Sequence, residues 1–151
     1  MRMIRGWLCG LALVAAGASL AACSGGPAMP LGRARAYSSF QACLLTGSAG
    51  VAASPGREAW AGMEDASAST SAKVSYLAVT GPATKANALT FLGSLLVRKC
   101  DVVVAVGAPE QAAAAADAGK FRKVRFLLAG AGQQGPAAAA NVTVLSPAHS
   151  G

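Results

Sequence analysis

The stretch Asp101-Val-Val-Val-Ala-Val-Gly107, continued by Ala108-Pro109-Glu110-Gln111 and five alanines to Ala116, decides the fold. An uninterrupted run of β-branched residues suits a strand covered on both faces, the habit of parallel sheets. Gly107 ends it. Pro109 fits the first turn of a helix that runs to Ala118, with Gly119 as its C′ residue. A strand joined by a tight turn to a helix is half of a βαβ unit.

The same alternation continues on both sides. Upstream, Gln41-Ala-Cys-Leu-Leu-Thr46 is a short apolar strand closed by Gly47. Ser54-Pro55 supplies an N-cap and a first-turn proline for a helix to about Ser67, with Trp60, Met63 and Ser67 on one side and Glu58 and Asp65 on the other. Lys73 to Val79 reads as the second strand and is broken by Gly81-Pro82. Ala86 to Arg98 is an apolar helix with Leu89, Leu92 and Leu96 on one stripe and Leu95 beside them. Downstream, Val124 to Leu128 and Asn141 to Leu145 supply the fourth and fifth strands. Strands separated by helices of ten to thirteen residues predict a parallel sheet. The expected fold is α/β: a doubly wound, three-layer αβα domain of flavodoxin-like strand order 2-1-3-4-5.

Composition narrows function. The chain has 151 residues, a net charge of +7, 54% hydrophobic and 13% charged residues, and 37 alanines. One domain is expected, and low charge with high hydrophobicity is the opposite of a disordered composition. No apolar run reaches the eighteen or so residues of a membrane span. The single histidine, His149, stands two residues from the end. Histidine-based metal sites and a Ser-His-Asp arrangement therefore have almost nothing to draw on. No paired carboxylates serve acid/base work, and no Gly-Lys-Ser/Thr loop is present. The expectation is a non-enzyme without cofactor or metal.

The amino terminus reads as an export signal over residues 1–22. Arg2 and Arg5 form its positive region, and Trp7 to Leu20 its fourteen-residue apolar core. Leu20-Ala-Ala-Cys23 followed by Ser24-Gly25-Gly26 resembles the lipobox of bacterial lipoproteins, in which the cysteine is acylated and becomes the first residue. The alternative is ordinary cleavage after Ala22 with Cys23 a thiol. Each buried acyl methylene contributes about 0.8 kcal/mol, so a multiply acylated Cys23 would hold the chain on the outer face of the cell membrane. Residues 23–39, rich in Gly, Pro, Ala and Arg, read as a flexible tether. Residues 40–147 form the folded lobe and 148–151 a tail.

Cys9 leaves with the signal, and Cys43 and Cys100 remain in an oxidising compartment. They lie near the starts of the first and third strands, which the expected order makes neighbours, so a disulfide is predicted. It would close a loop of about 58 residues and contribute about 4 kcal/mol on the chain-entropy model. Two buried thiols are the alternative.

Ligands in such sheets bind beyond the carboxyl ends of the strands. The loops there offer few polar groups. The candidate ligand contacts are Ser48, Ser54, Arg57, Thr80, Gly107 and Glu110, with Gln133 also noted. Gly130-Ala-Gly132-Gln-Gln-Gly135 fits a dinucleotide-binding spacing. Only five residues separate it from Asn141 and no acidic residue follows at the required distance, so it reads as a turn.

The stretch from Ala42 to Gly130 resembles the first lobe of the basic membrane protein (BMP) family, substrate-binding lipoproteins of ABC transporters. The residues that carry this are Ala42-Cys-Leu-Leu-Thr46, Ala59-Trp-Ala-Gly-Met63, Lys99-Cys-Asp101 leading into the valine run, and Val106-Gly107. The resemblance implies a type I periplasmic-binding fold, a nucleoside-type solute, and an ABC permease or a second-lobe protein as partner. The chain departs from the family in its Gly47–Gly56 loop, which lacks the family's acidic, aromatic and amide ligand contacts, and at Ala129, where an aspartate is usual. A degenerate or incomplete binding lobe is therefore implied. A surface lipoprotein of structural or regulatory role, binding no small ligand, is the alternative.

Arg98 and Lys99 precede the third strand, and Lys120, Arg122 and Lys123 precede the fourth. Both groups are expected at the amino-terminal edge of the sheet, where the tether also enters. They form a candidate membrane-facing patch, each residue contributing up to about 1 kcal/mol near an anionic surface. The alternative is a solvated basic edge. An exported chain without clustered aromatics is not expected to bind nucleic acid.

Overall fold

The computed structural model describes residues 35–130 and 139–145. The expectations for the signal, Cys23, most of the tether, residues 131–138 and the tail with His149 fall outside them. Among the described residues the elements are β1 (Gln41–Thr46), α1 (Gly56–Thr70), β2 (Lys73–Ala78), α2 (Lys85–Val97), β3 (Val102–Val106), α3 (Ala108–Asp117), β4 (Arg125–Ala129) and β5 (Val142–Leu145). The five strands form one sheet in the order β2-β1-β3-β4-β5. Every pair is parallel. This is the doubly wound α/β class expected.

The chain first steps from β1 outward to β2, then returns past β1 to β3. Crossovers between parallel strands keep one hand. Reversing the direction of travel therefore moves the helices to the other face. Accordingly α1 packs on one face against Leu44, Val104 and Val106 through Met63. Trp60 meets Tyr76 of β2 edge-on, with ring centroids 5.2 Å apart. Helices α2 and α3 cover the other face, where Leu45, Leu92, Leu95, Val103, Phe126 and Leu128 form the larger core. Full burial of a Leu or Phe side chain contributes about 1.5–3 kcal/mol, so this face dominates stability. The strand pair at its centre is covalently closed: Cys43 and Cys100 form a disulfide with Cα atoms 5.9 Å apart, both cysteines buried.

Several boundaries differ from the sequence expectation, each for a local reason. Helix α1 starts at Gly56, with Pro55 as N-cap residue and no side-chain cap, so Ser54 is not the cap. It continues to Thr70 because the hydroxyls of Ser69 and Thr70 donate to the carbonyl of Ala66, and Ser71, with φ 59°, closes it. Helix α2 is capped by Thr84, whose oxygen accepts the Asn87 N–H. Its buried stripe is Ala88, Leu92 and Leu95, with Leu89 and Leu96 flanking. Gly119 is not a left-handed C′ residue. Helix α3 instead tightens into a 3₁₀ turn, Ala118–Lys120. Asn141 Nδ2 holds the following turn by donating to the carbonyls of Ala118, Phe121 and Val124.

The last residues of the expected tether are bound to the domain. Arg35 Nη2 donates to the carbonyls of Ser67 and Ala68 at 2.8 and 2.7 Å. Those carbonyls belong to the last turns of α1, where a cation also complements the helix dipole. Ser38 N–H donates to the Ser71 carbonyl. Arg35 and Ser38, at the end of the expected tether, thus bond to the end of α1.

Candidate functional site

The reversal between β1 and β3 leaves a crevice at their carboxyl ends, because the helices that follow these two strands leave toward opposite faces. A cavity of about 240 Å³ lies there, lined by residues 46–50 and 53–56 and by Val106 and Gly107. Ligand pockets commonly hold about 300–1,000 Å³, so this cavity falls just below that range.

The loop that forms it folds on itself through small residues. Gly50 N–H donates to the Gly47 carbonyl at 2.9 Å, and Gly50 has φ 57°. Thr46, only 3% exposed, donates from Oγ1 to the Gly50 carbonyl at 3.4 Å. Gly56, the first residue of α1, presses against that carbonyl and the Thr46 hydroxyl, and a Cβ there would overlap both. Glycine is thus required by close approach rather than by a turn.

Behind the crevice lies the first turn of α3. Gly107 has φ 110°, and the Glu110 carboxylate folds back against its Cα. The same carboxylate faces Gly47 across the strand ends. Glu110 is 2% exposed, and burial pushes its carboxyl above the ordinary value, opposed by a hydrogen bond from its own backbone N–H. Gln111 is equally buried. Its Nε2 donates to the Ala129 carbonyl at the end of β4 at 2.8 Å, while Oε1 has no hydrogen-bond partner among the described residues. A buried carbonyl oxygen left unpaired costs about 1–3 kcal/mol.

Of the residues singled out in the sequence, the structure brings together Ser48, Ser54, Gly107 and Glu110. Ser48, Ser54 and Gly107 line the crevice. Arg57 stands outside, exposed and 3.7 Å from Glu58, a surface pair of little energetic weight. Glu58 is held below its ordinary value first by a backbone hydrogen bond and then by the Ser54 hydroxyl. Thr80 does not join the site. Its carbonyl accepts Asn87 Nδ2 at 2.7 Å, which ties it to the start of α2. Two groups were missed, Thr46 and Gln111. Thr46 is the one hydroxyl in an apolar strand, and Gln111 shares a helix face with Ala114 and Ala118, so both had a signal. No group of three or more His, Cys, Asp or Glu among the described residues is placed to hold a metal.

The domain is a doubly wound parallel α/β sheet with a small crevice at its strand reversal. No protein-family profile matches the sequence, and no curated protein does. Solved structures do match in fold. A fragment assigned as a lipoprotein from Peptoclostridium difficile 630 superposes with TM-score 0.54 at 13% identity, over 70% of this chain and 84% of that one. An ABC transporter solute-binding protein from Aeropyrum pernix K1 gives 0.55 at 19% identity, over 70% of this chain and 28% of its own. Another from Conexibacter woesei DSM 14684 gives 0.50 at 22% identity, over 61% and 30%. The chain thus spans less than a third of the two solute-binding proteins.

Proposed function

We propose that this chain is an exported binding lobe of the solute-binding type, which receives a small polar solute at the crevice beyond β1 and β3. The observation that carries this reading is the crevice itself. It lies where the sheet reverses, has the volume of half a pocket, and is backed by the buried Glu110 and Gln111. A ligand buried on most of its surface needs a second wall. That wall comes from an ABC permease or a second-lobe protein. The resemblance to the basic membrane protein family favours a nucleoside-type solute, and the lipobox-like Leu20–Cys23 favours an acyl anchor on Cys23. The fold of the solute-binding neighbours supports the binding lobe alone.

A second reading is a surface lipoprotein that binds no small ligand. One observation favours it: the crevice loop is built of Gly, Ala, Val, Ser and Pro, and offers hydroxyls alone among polar side chains.

A thermal-shift screen of the chain with Cys43–Cys100 oxidised, against nucleosides, nucleobases and sugars, decides between them. A ligand at a hundred times its Kd stabilises by about 2.7 kcal/mol. That is a rise of roughly 10 °C or more in a domain of this size. A saturable rise supports the binding lobe and names the solute class. Cooperative melting with no rise supports the second reading.

A further inference from the structure

We propose that the amino-terminal edge of the sheet is a docking surface for an anionic lipid bilayer. The inference stands on charge and exposure at the end of the domain opposite the crevice, and is independent of the solute-binding reading.

The strand starts form one continuous row. Lys73 N–H donates to the Phe40 carbonyl, Asp101 N–H to Gln41, Arg125 N–H to Asp101 and Phe126 N–H to Asn141. Eight of the ten described Lys and Arg residues lie at this end of the domain, and only Arg57 and Lys85 lie at the other. Two acids share the edge and both are engaged. Asp101 Oδ2 accepts the Gln41 N–H at 2.8 Å, and Asp117 pairs with Lys120 at 2.7 Å. The other edge cations have no carboxylate within salt-bridge distance among the described residues.

The turns into β3 and β4, adjacent strands, carry the same pattern of an apolar residue followed by Arg-Lys. Val97-Arg98-Lys99 ends α2, and Phe121-Arg122-Lys123 follows the 3₁₀ turn. Val97 is 81% exposed and Phe121 38%. Phe40 and Tyr37 are also exposed at this edge. An apolar tip beside two cations, presented twice on neighbouring turns, fits a bilayer surface. The cations meet headgroup phosphates, and the apolar tips reach the acyl boundary. Beside the second triplet a hollow of about 760 Å³ opens, bordered by Arg122, Lys123 and Arg125. It has room for a headgroup.

The chain also reaches the domain at this edge, through Arg35. Cys23 stands twelve residues earlier. A lipid there is at most about 40 Å of extended chain away. One acyl anchor plus one basic patch is the usual pairing of signals for stable attachment.

The test uses the full chain carrying Cys23→Ser, which takes no acyl group, in sedimentation with vesicles of phosphatidylcholine alone or with about 30% phosphatidylglycerol. The apolar segment near residues 7–20 contributes to both vesicle types and Arg2 and Arg5 add to the anionic preference, so the change on substituting the edge residues isolates the patch. Binding should be at least about tenfold tighter on the anionic vesicles at roughly 0.1 M salt, and should weaken as salt rises. Arg98→Gln, Lys99→Gln, Arg122→Gln and Lys123→Gln together should lower that affinity about a hundredfold, at unchanged melting temperature. Val97→Ser with Phe121→Ser should lower it severalfold with the charges intact, and millimolar inorganic phosphate should not compete. Equal binding to both vesicle types, or an unaffected quadruple variant, overturns the proposal. An unaffected Val97/Phe121 pair overturns the part of the proposal that seats these two side chains at the acyl boundary. Competition by phosphate overturns it in favour of a small-anion site.

Discussion

Glu110 folds its carboxylate back over the Cα of Gly107, three residues earlier at the N-cap of α3, in a backbone conformation with φ 110° that only glycine adopts readily. The contact closes the first turn of α3 and buries an acid. Burial raises the Glu110 pKa above its ordinary value of 4.5. The folded state therefore holds its proton to higher pH than the unfolded chain does. By linkage, its contribution to stability falls as pH rises from the ordinary value through the folded value, then levels off. Glu110→Gln removes that dependence. The stability of Glu110→Gln minus that of the native chain should grow with pH across this window and flatten above it, read from denaturant melts at a series of pH values. A constant difference would refute the burial argument.

Gln111 offers a companion measurement. Gln111→Glu places a second carboxylate beside Glu110, opposite the Ala129 carbonyl. The lost N–H bond and any mutual repulsion should cost at least about 2 kcal/mol at pH 8, and the cost should shrink as pH falls and the carboxyls take up protons. Thermal denaturation at the two pH values gives the comparison.

The disulfide predicts a large and specific effect of reductant. Closing a loop of this length restricts the unfolded chain by about 4 kcal/mol in the chain-entropy model, and native disulfides in small domains are typically worth 2–5 kcal/mol. Guanidinium unfolding with and without dithiothreitol should differ by that amount. The Cys43→Ala, Cys100→Ala chain should melt with the reduced protein and ignore the reductant.

Two glycines in α1 should respond with opposite sign. Gly56→Ala drives a Cβ into the Gly50 carbonyl, which is backbone and cannot rotate away, and into the Thr46 hydroxyl. It should destabilise by several kcal/mol and distort the crevice. Gly62→Ala meets nothing within 4 Å on the exposed side of the helix. It should stabilise by about 0.5–1 kcal/mol through helix propensity and a stiffer unfolded chain. The two melting temperatures, measured together, control for each other.

The sheet and the disulfide were legible because they rest on strong periodic signals. Valine runs and leucine-bearing segments of helical length fix element type, and the strand reversal then brings Cys43 and Cys100 together. The ends of elements were less legible. Gly119 has the chemistry of a C′ residue, yet Asn141, about twenty residues later, decides how that turn folds. Arg35 sits in a stretch with tether composition, and it is fixed by two carbonyls that exist only once α1 has formed. At the crevice, Ser48, Ser54, Gly107 and Glu110 followed from loop position. Thr46 and Gln111 did not, because apolar and alanine-rich surroundings assign them to the core. Thr80 lies on a strand-end loop as expected, and its carbonyl is held by Asn87 of α2.

The bond between Cys43 and Cys100 also sets how the molecule bears load. A pull applied from the amino-terminal side reaches β1 first. At Cys43 the tension passes straight through the sulfur bridge to Cys100, and the chain between them, a sequence separation of 57, is bypassed. Helix α1, strand β2 and helix α2 lie wholly within that shielded span. About 200 Å of extensible chain is thereby withheld from stretching. A domain pulled between its two ends would lengthen only through residues before Cys43 and after Cys100, leaving α1 and the crevice loop off the line of force.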